Sequence, residues 1–205
     1  MGRSPTASRL RNLPKGTVSP RAVTDVLAAA RQRLGEDVVH LICARAELAE
    51  GTDPEMPMDE TQAVRVHAAL RQAEPERSAD VFRQAGFASA EAFVDTYLSK
   101  KAQAMLSAAP WTMSAWLLGR WARQHVRAFA GHARFEMLHD LEIELWNNPF
   151  AAPHGTRDHP GCYWQEALFE GMFRGLVDPH LICREMTCIG QGDDACRFAF
   201  ILNSG

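Results

Sequence analysis

The spacing of apolar positions changes about two thirds of the way along the chain. Up to about residue 130 they recur with a helical period. Ser19-Pro20 offers a cap followed by proline at a first helical position, and Val23, Val26, Leu27, Ala30 and Leu34 then share one face that Gly35 closes. Val38, Leu41, Ile42 and Leu48 mark a second helix. Pro54 and Pro57 interrupt the pattern, Asp59 caps a third helix running to about Ala73, and Pro75 follows it. Further helices are predicted over roughly 77–85, 90–107 and 111–130.

From Arg134 the period becomes two. Phe135, Met137, His139, Leu141, Ile143 and Leu145 alternate with Arg134, Glu136, Asp140, Glu142 and Glu144, which predicts a strand, or a hairpin of two, with one wet face. Asn147-Asn148-Pro149 breaks it, and a loop rich in Pro, Gly and His runs to Gly161. Trp164, Leu168, Met172 and Leu176 then repeat every fourth residue on a helix over 162–176. Two strand-like runs, 180–188 and 196–202, are joined by Gly190-Gln191-Gly192-Asp193-Asp194, which is turn material. The pattern reads as an α+β fold, a helical N-terminal half packed on a C-terminal antiparallel sheet. The expected organisation is one domain over 19–205 behind a basic, flexible tail, 1–18.

Composition narrows the function. At 205 residues and 46% hydrophobic content the chain has enough apolar surface for a buried core. Net charge is −3, so no global basic field points to nucleic acid, which is not expected as a partner. The first 22 residues carry five bases and no acid. They read as a solvated arm, with contact to an acidic partner or a membrane surface as the functional alternative. The longest uncharged run, 102–119, contains Gln103, Ser107, Pro110, Thr112 and Ser114, and is read as two buried helices meeting at Pro110 rather than a membrane span. No apolar stretch follows Met1, so a secretory signal is not expected and a reducing cytoplasm is.

The cysteines carry the chemistry. Of five, Cys162, Cys183, Cys188 and Cys196 lie in the last 44 residues. In a reducing compartment such crowding suggests a metal site, against the plainer reading of buried free thiols. A hairpin closed by the glycine-rich turn brings Cys188 and Cys196 together, and Cys162 starts a helix whose N-terminus favours a thiolate. Spacing leaves the fourth ligand open between Cys183 and Glu185. In an ideal strand these two share a face while Cys188 lies on the other, so a bulge is needed for Glu185 and Cys188 to meet. The run from Gly190 to Ala195 fits a loose Gly-x-Gly-x-x-Ala dinucleotide pattern, but no helix follows it. No motif for NADPH, flavin or ATP is found, and none for a serine or zinc hydrolase.

Gly161-Cys162-Tyr163-Trp164, the Gly171 to Gly175 stretch, Glu185-Met186-Thr187-Cys188 and Gly190 to Phe198 together resemble the vinyl-4-reductase family of small-molecule-binding domains, over about the last 60 residues. The resemblance implies a fold shared with vesicle-tethering subunits and phenol sensors. It also implies a structural zinc held by Cys162, Glu185, Cys188 and Cys196, with Cys183 left as a core thiol. For a chain of this size without an attached ATPase or DNA-binding module, it implies a part in bacteriochlorophyll biosynthesis, at reduction of the 8-vinyl group of divinyl chlorophyllide or protochlorophyllide.

With no donor-binding motif, the expectation is a carrier of a magnesium tetrapyrrole. It would be a homodimer that passes pigment to a separate 8-vinyl reductase or to magnesium chelatase or cyclase enzymes, with peripheral membrane contact. The alternatives are the reductase itself, fed by an external donor, and a sensor of small aromatic ligands. A tetrapyrrole calls for aromatic walls, an axial ligand and a basic rim. Candidates are Leu117, Trp121 and His125 on one face of the 111–130 helix, near Arg120, Arg123 and Arg127, with Phe135, Met137 and His139 on the strand. Ordinary core packing is the competing role for these aromatic and histidine side chains.

Overall fold

Asp59 caps its helix as its position predicts, accepting a hydrogen bond from the Gln62 amide at 3.1 Å in a computed structural model that describes residues 13–48, 56–138, 141–151 and 161–202. The helices of the N-terminal half are α1 (Arg21–Leu34), α2 (Glu36–Ala46), α3 (Glu60–Ala73), α4 (Ser78–Tyr97), α5 (Lys100–Ala108), α6 (Trp111–Gln124) and α7 (Val126–Ala130). A short pair, β1 (Thr17–Val18) and β2 (Met58–Asp59), ties the chain before α1 to the start of α3. The folded domain therefore begins before the expected boundary at residue 19. Leu13 and Val18 are buried, and backbone pairing holds Thr17 and Val18 in place. Residues 1–12 of the basic tail lie outside the described residues.

Where two helices were expected over 77–85 and 90–107, the chain runs as one helix to Tyr97. Gly86 sits inside it at a close approach. A Cβ there would overlap the Trp164 carbonyl oxygen and lie 2.7 Å from the Ala167 Cβ, and one on Gly171 would lie 2.7 Å from the Ala90 Cβ. Small residues thus let α4 lie directly against α8 (Tyr163–Leu176). The break comes instead at Ser99, whose hydroxyl accepts from the Ala102 amide at 3.2 Å and starts α5. Pro110 separates α5 from α6, and Ser114 Oγ donates to the Leu106 carbonyl at 2.6 Å across the bend.

The apolar alternation after residue 134 resolves into a hairpin, β3 (Arg134–Leu138) and β4 (Glu142–Trp146), joined by β5 (Leu181–Thr187) and β6 (Ala195–Leu202) in an antiparallel sheet of order β3-β4-β6-β5. The buried positions Phe135, Ile143, Leu145, Phe198, Phe200, Leu181 and Cys183 belong to one face of that sheet, as the period of two requires. Phe169 of α8 stacks edge-on against Phe129, Phe135 and Phe198, so helix and sheet share an aromatic core. On the outer face Arg197 pairs with Glu144 at 2.6 Å.

β5 is an edge strand, yet two of its outward amides are satisfied. The Cys183 amide donates to Glu170 and the Glu185 amide to Glu166, at 3.1 and 2.8 Å. Two carboxylates one turn apart on α8 thus occupy the place a further strand would take. Arg83 of α4 and Arg184 of β5 pair with Glu166 and neutralise it.

Candidate functional site

Three elements deliver the metal-binding side chains expected from the sequence. Cys162 immediately precedes α8, Glu185 and Cys188 sit at the end of β5, and Cys196 lies near the start of β6. The register of β5 against β6 shifts between Glu185 and Thr187, which supplies the bulge needed to turn Glu185 and Cys188 to the same point. A 3₁₀ turn at Ile189–Gln191 follows, and Gly192 closes it at φ 103°, a conformation glycine adopts without strain. Asp193 accepts from the Cys188 amide at 2.8 Å and holds the turn to the strand end.

The four side chains converge. Their ligand atoms all lie within 4.8 Å of one another and all four residues are buried. Cys162 Sγ is 3.8 Å from Cys188 Sγ and 3.7 Å from Cys196 Sγ, and the third sulfur pair is 4.0 Å apart. A tetrahedral ion with metal–sulfur bonds of about 2.3 Å has sulfur–sulfur edges of about 3.8 Å. Glu185 accepts from the Cys162 amide with Oε2 at 2.7 Å, while its Oε1 is buried without a hydrogen-bond partner. An orphaned carboxylate oxygen beside three thiols at tetrahedral spacing fits a bound cation. Cys183, the rival ligand, stands apart as a buried core thiol.

The electrostatics agree. Hydrogen bonds from the Cys162 and Cys196 thiols pull the Cys188 thiol down and make it the thiolate of the group. Those same sulfur contacts push Cys162 up. Burial, reinforced by the Cys188 charge, pushes the Glu185 carboxyl up to about 9. One negative charge is thus accommodated and further ones are resisted until a cation arrives.

A polar shell that the sequence did not reveal surrounds the cluster. Asn148 Nδ2 lies 3.6 Å from both Cys162 Sγ and Cys196 Sγ, and Asn148 exchanges hydrogen bonds with Gln165 of α8. Arg71 of α3 donates to the Phe150 and Gly161 carbonyls, which places its positive charge near Cys162, Cys188 and Glu185. Asn148 was legible only as a turn residue and Arg71 only as a helix surface residue.

A second feature lies between α6 and the hairpin. A cavity of about 360 Å³ is lined by Trp111, Ala115, Trp116, Gly119, Arg120 and Arg123 from the helix, with Phe135, Met137, Leu138 and Leu141 from the strands and their turn. Phe135 and Met137 are where the sequence reading put them. Leu117, Trp121 and His125 belong to the same helix or its end but do not line the cavity. Trp121 and His125 pack on Tyr97 of α4, with ring centroids at 6.2 and 4.8 Å, and Leu117 packs at the core margin. At 100° per residue these three lie on roughly the opposite side of α6 from Thr112, Ala115 and Gly119. His139 lies outside the described residues. The missed residues, Trp111 and Trp116, are large aromatics left about half exposed or more, at 53% and 60%.

Residues 141–202 match the model of the vinyl-4-reductase domain. This segment belongs to that family. It contains β4, α8, β5, β6 and all four metal-site residues. The chain as a whole is distantly homologous to two proteins named bacteriochlorophyll synthase 23 kDa chain, in line with the family expected from the sequence. The one from Cereibacter sphaeroides is 28% identical over 186 residues, covering 90% of each chain. The one from Rhodobacter capsulatus is 25% identical over 183 residues, covering 88% of this chain and 85% of its own. Among solved structures, H-NOX proteins from S. oneidensis and K. algicida superpose with a TM-score of 0.56 at 12% identity, over 91% and 92% of this chain and 100% and 98% of theirs. The fold around the vinyl-4-reductase domain is therefore H-NOX-like, with N-terminal helices packed on a C-terminal antiparallel sheet.

Proposed function

We propose that this protein binds a tetrapyrrole precursor of bacteriochlorophyll and carries it to the enzyme that reduces its 8-vinyl group. The observation that carries this reading is the cavity beneath α6: two tryptophans, Phe135 and Met137 offer apolar walls, and Arg120 and Arg123 offer a basic rim for the ring's acidic substituents. The names of the two homologous chains give the pathway. The H-NOX-like fold adds that the same architecture serves proteins in which heme distortion has been probed, so it accommodates a planar macrocycle there.

The metal cluster has a different part. Cys162, Glu185, Cys188 and Cys196 would hold zinc with no open position, which makes the ion a clasp between the start of α8 and the terminal hairpin. Zinc supplies folding energy there and no redox chemistry.

Titration with magnesium protoporphyrin tests the binding reading. A shifted Soret band and quenched tryptophan fluorescence are expected, with Trp116→Ala and Arg123→Ala weakening both. An unchanged band and unquenched fluorescence would remove it. Reduction of a divinyl chlorophyllide by the purified protein, given NADPH or reduced ferredoxin and no second enzyme, would make it the reductase and not a carrier.

A further inference from the structure

A stretch of 40 residues, 96–135, contains no aspartate or glutamate and six bases, Lys100, Lys101, Arg120, Arg123, Arg127 and Arg134, in a chain whose net charge is −3. Lys100 pairs with Asp95 and Arg134 with Glu136. Arg120 and Arg123 form no ion pair among the described residues, and the Arg120 guanidinium lies over the Trp116 ring, 5.9 Å from its centroid. The same segment holds four of the chain's most exposed large apolar side chains. Met105 is 63% exposed, Trp111 53%, Met113 48% and Trp116 60%.

Large apolar side chains left in water beside unpaired cations of one sign need an occupant. A folded protein partner of mixed charge would leave some of these arginines facing like charge. A bilayer of anionic lipid presents uniform negative charge at the depth of its headgroups and apolar chains just below, where tryptophan partitions and arginine stays at the surface. None of the described helices is long and apolar enough to cross a membrane, so the contact lies in the plane of the surface.

We infer that α6, with Trp111, Met113 and Trp116 inserted and Arg120 and Arg123 on the phosphates, docks this protein on an anionic membrane surface. Trp111, Trp116, Arg120 and Arg123 also line the cavity, so docking sets the cavity mouth against the lipid, where an amphipathic ligand enters without crossing water. The docking face is independent of which ligand the cavity takes.

Cosedimentation of the full chain with vesicles tests it, in the absence of pigment. Vesicles of equal parts phosphatidylcholine and phosphatidylglycerol should bind, vesicles of phosphatidylcholine alone should bind at least about tenfold more weakly, and added salt should release the protein. Brominated lipid should quench tryptophan fluorescence. Trp111→Ser/Trp116→Ser should abolish that quenching, and Arg120→Glu/Arg123→Glu should weaken binding at least about tenfold. These positions are exposed, so circular dichroism should be unchanged; were either pair to unfold, Trp116→Ser and Arg123→Gln singly give the same reading. Equal binding to both vesicle types, or binding untouched by the substitutions, overturns the inference. So does concentration-dependent self-association that the tryptophan pair abolishes without vesicle binding, because the face then belongs to a second copy.

Discussion

A Cβ placed on Gly119 of α6 would overlap Met137 Sδ and lie 3.1 Å from its Cγ. The thioether of β3 occupies the notch that the missing side chain leaves, and the two residues together form part of the cavity wall. Gly119→Ala should therefore push Met137 out of its seat, at a cost of about 1–3 kcal/mol as an overpacked contact. The same substitution made in a Met137→Ala background should cost much less, and thermal unfolding of the four proteins measures the coupling. Equal costs in both backgrounds would mean the notch is not shared.

The metal cluster predicts a contrast between two cysteines of one hairpin. Cys188→Ala should lose the bound metal and at least about 3 kcal/mol of stability, which for a chain of this size is roughly 6–12 °C in Tm. Cys183→Ala, at a buried thiol outside the cluster, should keep one metal per chain and lose only packing. Metal analysis alongside Tm decides. Full occupancy in Cys188→Ala would discard the ligand set.

These two regions also differ in how far they could be read from sequence. Cys188 and Cys196 flank a turn, and local chain geometry brings such residues together whatever the rest of the fold does. Choosing Glu185 over Cys183 needed a bulge that no residue type announces, and there the family resemblance decided. For α6 the helix was found but not its orientation. The helix is apolar around most of its circumference, so periodicity does not say whether Trp121 or Trp116 faces the core. Tyr97 and His125 settle it by packing on Trp121. Gly86 had the same ambiguity. A glycine in a helix weakens it locally, but here it permits contact with the Trp164 backbone.

Glu166 should matter to the metal without touching it. Its carboxylate accepts from the Glu185 amide at 2.8 Å and pairs with Arg83 and Arg184. Glu166→Ala leaves a buried amide and two arginines without that partner, and should cost about 3–5 kcal/mol. Because Glu185 is positioned through its own backbone, metal affinity should fall about 10- to 100-fold. Glu166→Gln keeps an acceptor for the amide and should recover most of the affinity but not the stability. Competition against a chelating dye reads the affinity. Wild-type affinity in Glu166→Ala would show that the strand edge does not hold the ligand.

His67 of α3 predicts a pH response separate from the cluster. Its ring is buried against Phe82, Phe150 and Trp164, and Nε2 bonds the Ala22 carbonyl at 2.8 Å. Burial, with the nearby Arg71 charge, lowers its pKa to about 3. The unfolded chain takes up this proton near the ordinary histidine value of about 6.5, and the folded one does not, so the unfolded state binds more protons throughout the interval. Stability from His67 is complete above pH 6.5 and is lost as pH falls toward 3, by about 1.4 kcal/mol per unit. His67→Gln keeps a side-chain amide to bond Ala22 and carries no titrating group. It should be less stable at pH 7.5 from lost ring packing, but its unfolding free energy should fall less steeply between pH 6 and 4.5, by roughly 1–2 kcal/mol over that range. Acid release of the metal acts on both proteins and drops out of the difference. Parallel curves for the two proteins would show that the folded state admits the proton at His67.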